Sequence, residues 1–376
     1  MRIAQVAARQ LPGSGVLTVI VELALALARR GHDVDLWQLH DWDGAGFDEL
    51  TGRLRQGGVT PVRMPDRNGW RAAQQAAART VSERGTEVVH LHSVFVPRNA
   101  AIARGLKVPY ALSPHGGYHP VSLARRRMRK LVYRAAVECR LIREASLVPV
   151  LTQDEANHVH RLVPAARTVV IPNGVARRPP TDLDPTAFRG RYGVDSRQRL
   201  AVYVGRLDVQ HKGLDRLLRG AATAPEWRLL LVGPDHRGGR EILERLAREL
   251  DLRDRIGFTG AVGPRDVHAA LAAADLFTLT SRWEGQPMAL LEALSHGTPA
   301  LVTPVVERVV PVAASGAGWM APPAELGPIL QRLASANRGD WSGHRAAARR
   351  LAARYDWDAV AERYEEVYAA SAGATS

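Results

Sequence analysis

The sequence predicts an α/β fold of two doubly wound domains built on parallel sheets. Three observations carry this expectation. Short apolar runs alternate with helix-length segments along the whole chain, the pattern of strands covered by helices. Residues 274–302 spell out strand, polar turn, helix and strand in turn. A stretch rich in Pro, Arg and Asp, 177–185, interrupts the alternation, which then restarts with the strand 200–204. The boundaries that follow are 1–176, 177–355 and a last segment, 356–376.

Composition narrows the class. A chain of 376 residues has room for two domains of ordinary size. A single cysteine, Cys139, rules out a disulfide framework and is expected to be buried filler. The N-terminus enters a strand directly, without the charged, apolar and cleavage regions of a signal peptide. The longest apolar run, 16–28, contains Glu22 and is too short to span a bilayer. A cytoplasmic protein is expected, peripheral at the inner membrane face if its basic segments touch lipid. The net charge of +13 admits phosphate-bearing ligands, acidic lipid surfaces and nucleic acid, although an arginine-rich composition alone would give the same excess.

Taken in order, residues 1–8 are the first strand, 16–30 an apolar helix ended by Gly31, and 34–39 the second strand. Leu11-Pro12-Gly13-Ser14-Gly15 joins strand to helix as a tight loop, opening a βαβ unit. Gly13 and Gly15 allow close backbone approach or a positive φ. A dinucleotide fingerprint would need a third glycine where Thr18 stands. Residues 41–70 are loop-rich, with a weak strand at 59–63, and 71–84 is a helix. The strand 88–92 sets His90 and His92 on one face. With no carboxylate or cysteine cluster beside them, they are expected to pack rather than to hold a metal. The strand 109–113 runs into Pro114-His115-Gly116-Gly117, a strand-end loop in which His115 has room to meet a ligand.

A basic helix follows within 123–145, and its segment from Arg125 to Arg134 could lie on an anionic membrane. It could equally line the mouth of an acceptor site or form a solvated face. Then come a strand at 146–151, a helix capped by Thr152, a strand at 168–171 and a closing turn, Pro172-Asn173-Gly174-Val175.

In the second half, the strand 200–204 leads into Gly205-Arg206-Leu207-Asp208-Val209-Gln210-His211-Lys212-Gly213 and a helix from 214. Arg206 and Lys212 place positive charge at a strand's carboxyl end, where a diphosphate would bind. The residue order is not that of a P-loop. Strands are expected at 227–232, 256–259 and 274–279, with helices at 241–250 and 266–274. Next comes the polar turn 281–285, then Pro287 as the first helical residue. The helix carries Leu290, Leu291 and Leu294, and Gly297 ends it. Glu284 and Glu292 bracket the helix start. Amides around Gln286, Met288 and Ala289 favour an anionic or hydroxyl-rich ligand there. The segment 316–320, a helix from 325 and a last helix opened by Asp356-Trp357 complete the chain.

Ser281, Glu284, Gly285, Pro287, Glu292, Ala293, Gly297 and Pro299 resemble the E-x7-E signature of retaining GT-B glycosyltransferases, family 4. The loop 205–213 resembles that family's G-R…K-G element. The resemblance covers nearly the whole chain. It implies two Rossmann-like domains facing across a cleft, with 1–176 binding the acceptor and 177–355 the nucleotide sugar. It also implies that 356–376 packs back on the first domain. By the same resemblance Arg206 and Lys212 neutralise the donor pyrophosphate, Glu284 lies by the donor sugar, and Glu292 holds the ribose. His115 contacts the sugar. The implied catalytic set is His115, Arg206, Lys212 and Glu284. Gly13, Gly15, Gly205, Gly285, Gln286, Met288 and Ala289 join Arg206, Lys212 and Glu292 as donor-binding residues. A glycine-rich loop usual in the family is replaced here by Pro304, Val305 and Glu307.

The implied reaction moves a sugar from a nucleotide-diphosphate donor to an acceptor hydroxyl, with retention and with neither metal nor cofactor. Envelope glycolipid, polysaccharide and natural-product synthesis all fit, and the acceptor could be a small molecule, a glycan or a lipid-linked group. Trp42 and Trp70 would suit a small polar acceptor. The alternative is a pseudo-glycosyltransferase or coupling enzyme of the same fold using a sugar-like nucleotide donor. A nucleic-acid-binding protein is disfavoured because no helix-turn-helix, finger or aromatic platform is present.

Overall fold

The computed structural model describes residues 1–7, 15–39, 45–64, 69–124, 133–176, 182–195 and 197–373. They form two compact units, Met1–Gly174 with Trp357–Ser376, and Val175–Asp356.

In the first unit, strands β1 (Arg2–Ala7), β2 (Asp33–Gln38), β3 (Val59–Arg63), β4 (Val88–His92) and β5 (Tyr110–Ser113) form a parallel sheet ordered β3-β2-β1-β4-β5. The order reverses between β1 and β4, whose carboxyl ends therefore border a crevice. β1, β2 and β4 are buried almost throughout, so their runs are not cleanly alternating. β6 (Val148–Val150) and β7 (Thr168–Val170) pair separately in parallel, and an isolated bridge from Ala111 to Leu147 joins them to β5. The helices are α1 (Gly15–Arg29), α2 (Ala45–Gln56), α3 (Gly69–Arg84), α4 (Pro97–Gly105), α5 (Pro120–Ala124), α6 (Cys139–Glu144) and α7 (Gln153–Leu162).

The C-terminal helix, Trp357–Gly373, packs against α1 and β4. Its inner side buries Trp357, Val360, Ala361, Tyr364 and Tyr368. Arg29 pairs with Asp358 at 2.9 Å and Arg30 with Glu365 at 2.6 Å along its edge. Exposed pairs of this kind add at most about 1 kcal/mol each, so the apolar face carries the packing.

Three expectations change. The loop-rich stretch 41–70 contains α2, because Phe47 and Leu54 are buried and packing overrides the surrounding glycines. Within the expected helix over 123–145, the described residues are the end of α5, a π-helical turn at Arg134–Glu138 and α6, so the described second half is not regular α-helix throughout. Gly15 begins α1 with no positive φ rather than belonging to a turn. The basic stretch 125–132, Gly13 and Trp42 lie outside the described residues.

In the second unit, β8 (Arg199–Val204), β9 (Trp227–Val232), β10 (Ile256–Gly260), β11 (Leu276–Leu279), β12 (Ala300–Val302) and β13 (Gly318–Met320) form a parallel sheet. Its order is β10-β9-β8-β11-β12-β13. Here the reversal falls between β8 and β11. The helices are α8 (Pro185–Arg191), α9 (Val209–Lys212), α10 (Leu214–Ala222), α11 (Gly239–Glu249), α12 (Pro264–Ala273), α13 (Met288–Ser295), α14 (Pro304–Glu307), α15 (Leu326–Ser335) and α16 (Ser342–Ala353). α8 begins at the end of the expected linker, on an Asp184 cap and Pro185. Pro287 is the N-cap of α13 rather than its first helical residue. No described helix is long and apolar enough to cross a membrane.

Gly174 closes the first unit against Trp357: a Cβ there would lie 2.3 Å from the indole ring. Gly174→Ala is therefore expected to cost about 1–3 kcal/mol, read as a lower urea midpoint for the unit.

Candidate active site

Two loops meet at the carboxyl ends of β8 and β11. The first runs from Gly205 to Gly213. Gly205 sits at φ +149°, and its N–H donates to Val232 O at 2.9 Å. The Tyr203 hydroxyl donates to Arg206 O at 2.8 Å and fixes the turn. Asp208 caps α9, accepting from His211 N at 3.0 Å. A single helical turn thus lies within the stretch expected as plain loop. Gly213 then takes the left-handed conformation, φ +63°, where a Cβ would stand 2.1 Å from Thr280 O. Only glycine fits that crossing.

The second loop, 280–287, is tied to the first. The Thr280 hydroxyl donates to Gly213 O at 2.9 Å. The Arg282 N–H donates to His211 O at 2.9 Å, and its guanidinium grips Asp215 at 2.9 and 2.7 Å while also donating to Gln210 O. His211 stacks on Trp283, ring centroids 3.8 Å apart, and its Nε2 meets Trp283 O at 2.9 Å. Arg282, Asp215 and Trp283 were not singled out in the sequence, because nothing local shows that residues 67 apart are partners.

These ties bring Lys212 and Glu284 together. Lys212 Nζ donates to Glu284 Oε1 at 2.7 Å, and the Ser281 hydroxyl donates to the same oxygen. The pair is nearly enclosed: the Glu284 side chain is 6% exposed and Lys212 17%. Arg206, on the same loop, is exposed. Gly285 is half-buried and Gln286 buried. Met288 and Ala289 form the first turn of α13, whose amides lack intrahelical partners by helix geometry. Glu292, half-buried, lies one turn further along.

His115 and Gly15 belong to the first unit. His115 follows β5 in the left-handed region at φ +51°, and Ser93 and Phe95, after β4, are at φ +70° and +58°. Non-glycine residues held there cost of order 1–3 kcal/mol each and mark over-determined sites. Two buried carboxylates do the holding. Glu155 accepts Gly116 N at 2.5 Å and Leu151 N at 2.7 Å, while Glu138 accepts Phe95 N at 3.2 Å and the Tyr118 hydroxyl at 2.8 Å. Burial pushes both carboxyls up. The Asn99 amide donates to His92 O and Ser93 O. Sequence reasoning missed this set; Glu155 was visible only as part of a helix start. His90 and His92 are fully buried, as packing predicts, but they are also hydrogen-bonded. Among the described residues no group of three or more His, Cys, Asp and Glu is placed to hold a metal.

A family model described as Glycosyltransferase Family 4 matches residues 13–177, and one described as Glycosyl transferases group 1 matches residues 184–336. The chain belongs to the family 4, group 1 glycosyltransferases. A GDP-mannose:cellobiosyl-diphosphopolyprenol alpha-mannosyltransferase of Xanthomonas campestris is 27% identical, over 77% of this chain and 76% of its own. A D-inositol 3-phosphate glycosyltransferase of Mycolicibacterium smegmatis is 26% identical, over 91% and 83%. Among solved structures, sucrose-phosphate synthase from Thermosynechococcus elongatus matches with a TM-score of 0.76 at 20% identity, covering 99% of both chains. Anabaena HepE in complex with UDP-glucose matches with a TM-score of 0.77 at 20% identity, covering 98% and 100%. These likenesses place the glycosyltransferase in the GT-B fold class.

Burial lowers His115 to about 4, and burial together with the Lys212 charge lowers His211 to about 4. An unfolded histidine takes up a proton below about 6.5. Between that pH and about 4 the unfolded chain therefore binds more protons than the folded one, and stability falls as pH falls. Urea midpoints of the glycosyltransferase are expected to drop between pH about 7 and about 5. The drop should be smaller in His211→Gln, whose side chain does not titrate.

Proposed function

We propose that the enzyme transfers a sugar from a nucleotide-diphosphate donor to an acceptor hydroxyl, with retention at the anomeric carbon and without a metal ion. The observation that carries the donor assignment is the enclosed Lys212–Glu284 pair at the carboxyl ends of the two strands where the sheet order reverses. Without ligand, Glu284 compensates the Lys212 ammonium. A diphosphate offers that ammonium a more highly charged partner, and Glu284 can then turn to sugar hydroxyls. Arg206, exposed on the same loop, adds a second cation, and the first-turn amides of α13 add fixed dipoles.

As the acceptor oxygen bonds to the anomeric carbon, the bond to the diphosphate breaks, negative charge builds on the departing group, and the hydroxyl proton passes to the departing diphosphate oxygen. Arg206, Lys212 and the α13 amides are assigned to that charge, the kind of preorganised stabilisation that lowers a transition state. Glu292 is assigned to the ribose. In the first unit His115 is assigned a contact with the transferred sugar. Retention and metal independence follow the family resemblance. The acceptor is a small molecule, a glycan or a lipid-linked group; of the relatives named above, one is named for a cellobiosyl-diphosphopolyprenol and another for D-inositol 3-phosphate.

The test is a thermal-shift panel of UDP, GDP, ADP and dTDP with and without Mg²⁺. One diphosphate is expected to raise the midpoint by mass action, equally without the metal. Lys212→Ala leaves the Glu284 carboxylate enclosed and uncompensated, so its unliganded midpoint falls as well. The ligand-induced shift is therefore the quantity to compare, and Arg206→Ala, which leaves the pair intact, serves as the second variant. Each variant is expected to bind about tenfold more weakly or worse, the value of a charge-assisted hydrogen bond. No shift with any diphosphate would refute the donor assignment.

A further inference from the structure

A line of buried polar side chains runs through the first unit and ends on His115. Gln5 lies in β1, His90 and His92 in β4, Ser113 in β5 and Tyr368 in the C-terminal helix; the largest exposure among them is 3%. The links are Pro149 O to Ser113 Oγ at 3.3 Å, Ser113 Oγ to His90 Nε2 at 2.8 Å, and His90 Nδ1 to the Tyr368 hydroxyl at 2.6 Å. Beyond Tyr368 come Gln5 Nε2 at 3.3 Å, Gln5 Oε1 to His92 Nε2 at 2.7 Å, and His92 Nδ1 to His115 Nε2 at 2.9 Å.

The line has one consistent direction. A carbonyl only accepts, so the Ser113 hydroxyl donates to Pro149 O and its oxygen accepts from His90 Nε2–H. Burial holds His90 and His92 well below the ordinary histidine range, so each is neutral and offers one donor and one acceptor. His90 Nδ1 therefore accepts from the Tyr368 hydroxyl, whose oxygen accepts from the Gln5 amide. Gln5 Oε1 accepts from His92 Nε2–H. His92 Nδ1 is left as an acceptor, and His115 Nε2–H donates to it. The opposite direction would need the serine proton and the Pro149 carbonyl to part, leaving an acceptor without its donor inside the unit.

We propose that Gln5, His92, Tyr368, His90 and Ser113 are positioning residues that hold His115 in its Nε2–H tautomer, with Nδ1 as the acceptor it offers to substrate. An acceptor nitrogen recognises a hydroxyl group. It would oppose a phosphate oxygen, which needs a donor. The assignment rests on His115 touching the transferred sugar as proposed above, and it specifies a sugar hydroxyl as the group met. Glu155 and the left-handed backbone fix where the ring stands; the buried line fixes which nitrogen carries the proton.

The test needs no ligand. Long-range ¹H–¹⁵N correlation spectra of the protein labelled at histidine distinguish the two neutral tautomers, and His115→Gln identifies the His115 signals. A single Nε2–H state is expected at pH about 7, where histidine's ordinary titration is largely over. An Nδ1–H state, or a mixture, in the wild-type protein overturns the inference. Tyr368→Phe removes one oxygen from the middle of the line and leaves the Gln5 amide indifferent to its two orientations. His115 is then expected to lose its single state and show both tautomers. Ser113→Ala removes the end that sets the direction and is expected to do the same, which covers the case in which Tyr368→Phe does not fold. A packing role alone would leave the tautomer unchanged, so an unaltered Nε2–H state in a folded variant rejects the positioning role. Failure of the nucleotide panel would not alter these spectra, and failure here would not alter the nucleotide panel.

Discussion

The second unit is organised around an ion pair that water scarcely reaches. Enclosing an ammonium and a carboxylate is unfavourable unless they remain together and their other hydrogen-bonding capacity is met. The loops that carry Lys212 and Glu284 keep the two together and give Glu284 a further donor. Gly213 makes a crossing no side chain could make, Thr280 and Arg282 bond the loops to each other, and Ser281 supplies a second donor to Glu284. The scaffold therefore bears the desolvation cost before any ligand arrives. A ligand that brings its own negative charge next to Lys212 and hydroxyl groups next to Glu284 replaces one compensated arrangement with another. A neutral ligand lacking these groups would leave two enclosed charges poorly served, so the pair discriminates as well as binds.

The first unit solves a different problem. Its strand-end loops carry three non-glycine residues in the left-handed region, a backbone state that relaxes unless its surroundings forbid it. Glu138 and Glu155 forbid it by accepting amide protons from Phe95 and Gly116 on those loops. Asn99 does the same from the carbonyl side. Among the described residues both oxygens of Glu155 accept backbone N–H groups, and Oε1 of Glu138 accepts an N–H and a phenol while its Oε2 has no partner, so burial of these acceptors is offset mainly by hydrogen bonds to the loops.

Much of the fold could be read from the chain because its signals are local. The strand at 227–232 needed only a short β-branched and leucine-rich run, and the cap at Thr152 needed only its neighbour three residues on. The elements of the proposed donor site were equally local: a glycine, two cations and a proline-initiated helix each lie within a dozen residues. α2 was missed because its helical state depends on burying Phe47 and Leu54 rather than on propensity. Arg282 was passed over because its partner Asp215 is brought to it only by the pairing of β8 with β11. Glu138 sits in a stretch whose arginines dominate any reading of charge.

The buried line from Ser113 to His115 marks the limit of local reading most sharply. His90 and His92 alternate along a strand, and packing was a sound inference from that alone. What the pair does depends on Gln5 and on Tyr368, which are 363 residues apart. A C-terminal helix needed only to cover α1 could present leucine on its inner side. It presents Tyr364 and Tyr368 instead, and the Tyr368 hydroxyl lies between His90 and Gln5, where a group that both donates and accepts is required. A buried hydroxyl left without partners would be costly; placed there, it joins two strands' polar side chains into one directed series. The return of the chain's last helix to its first sheet thus supplies a chemical group as well as an apolar cover.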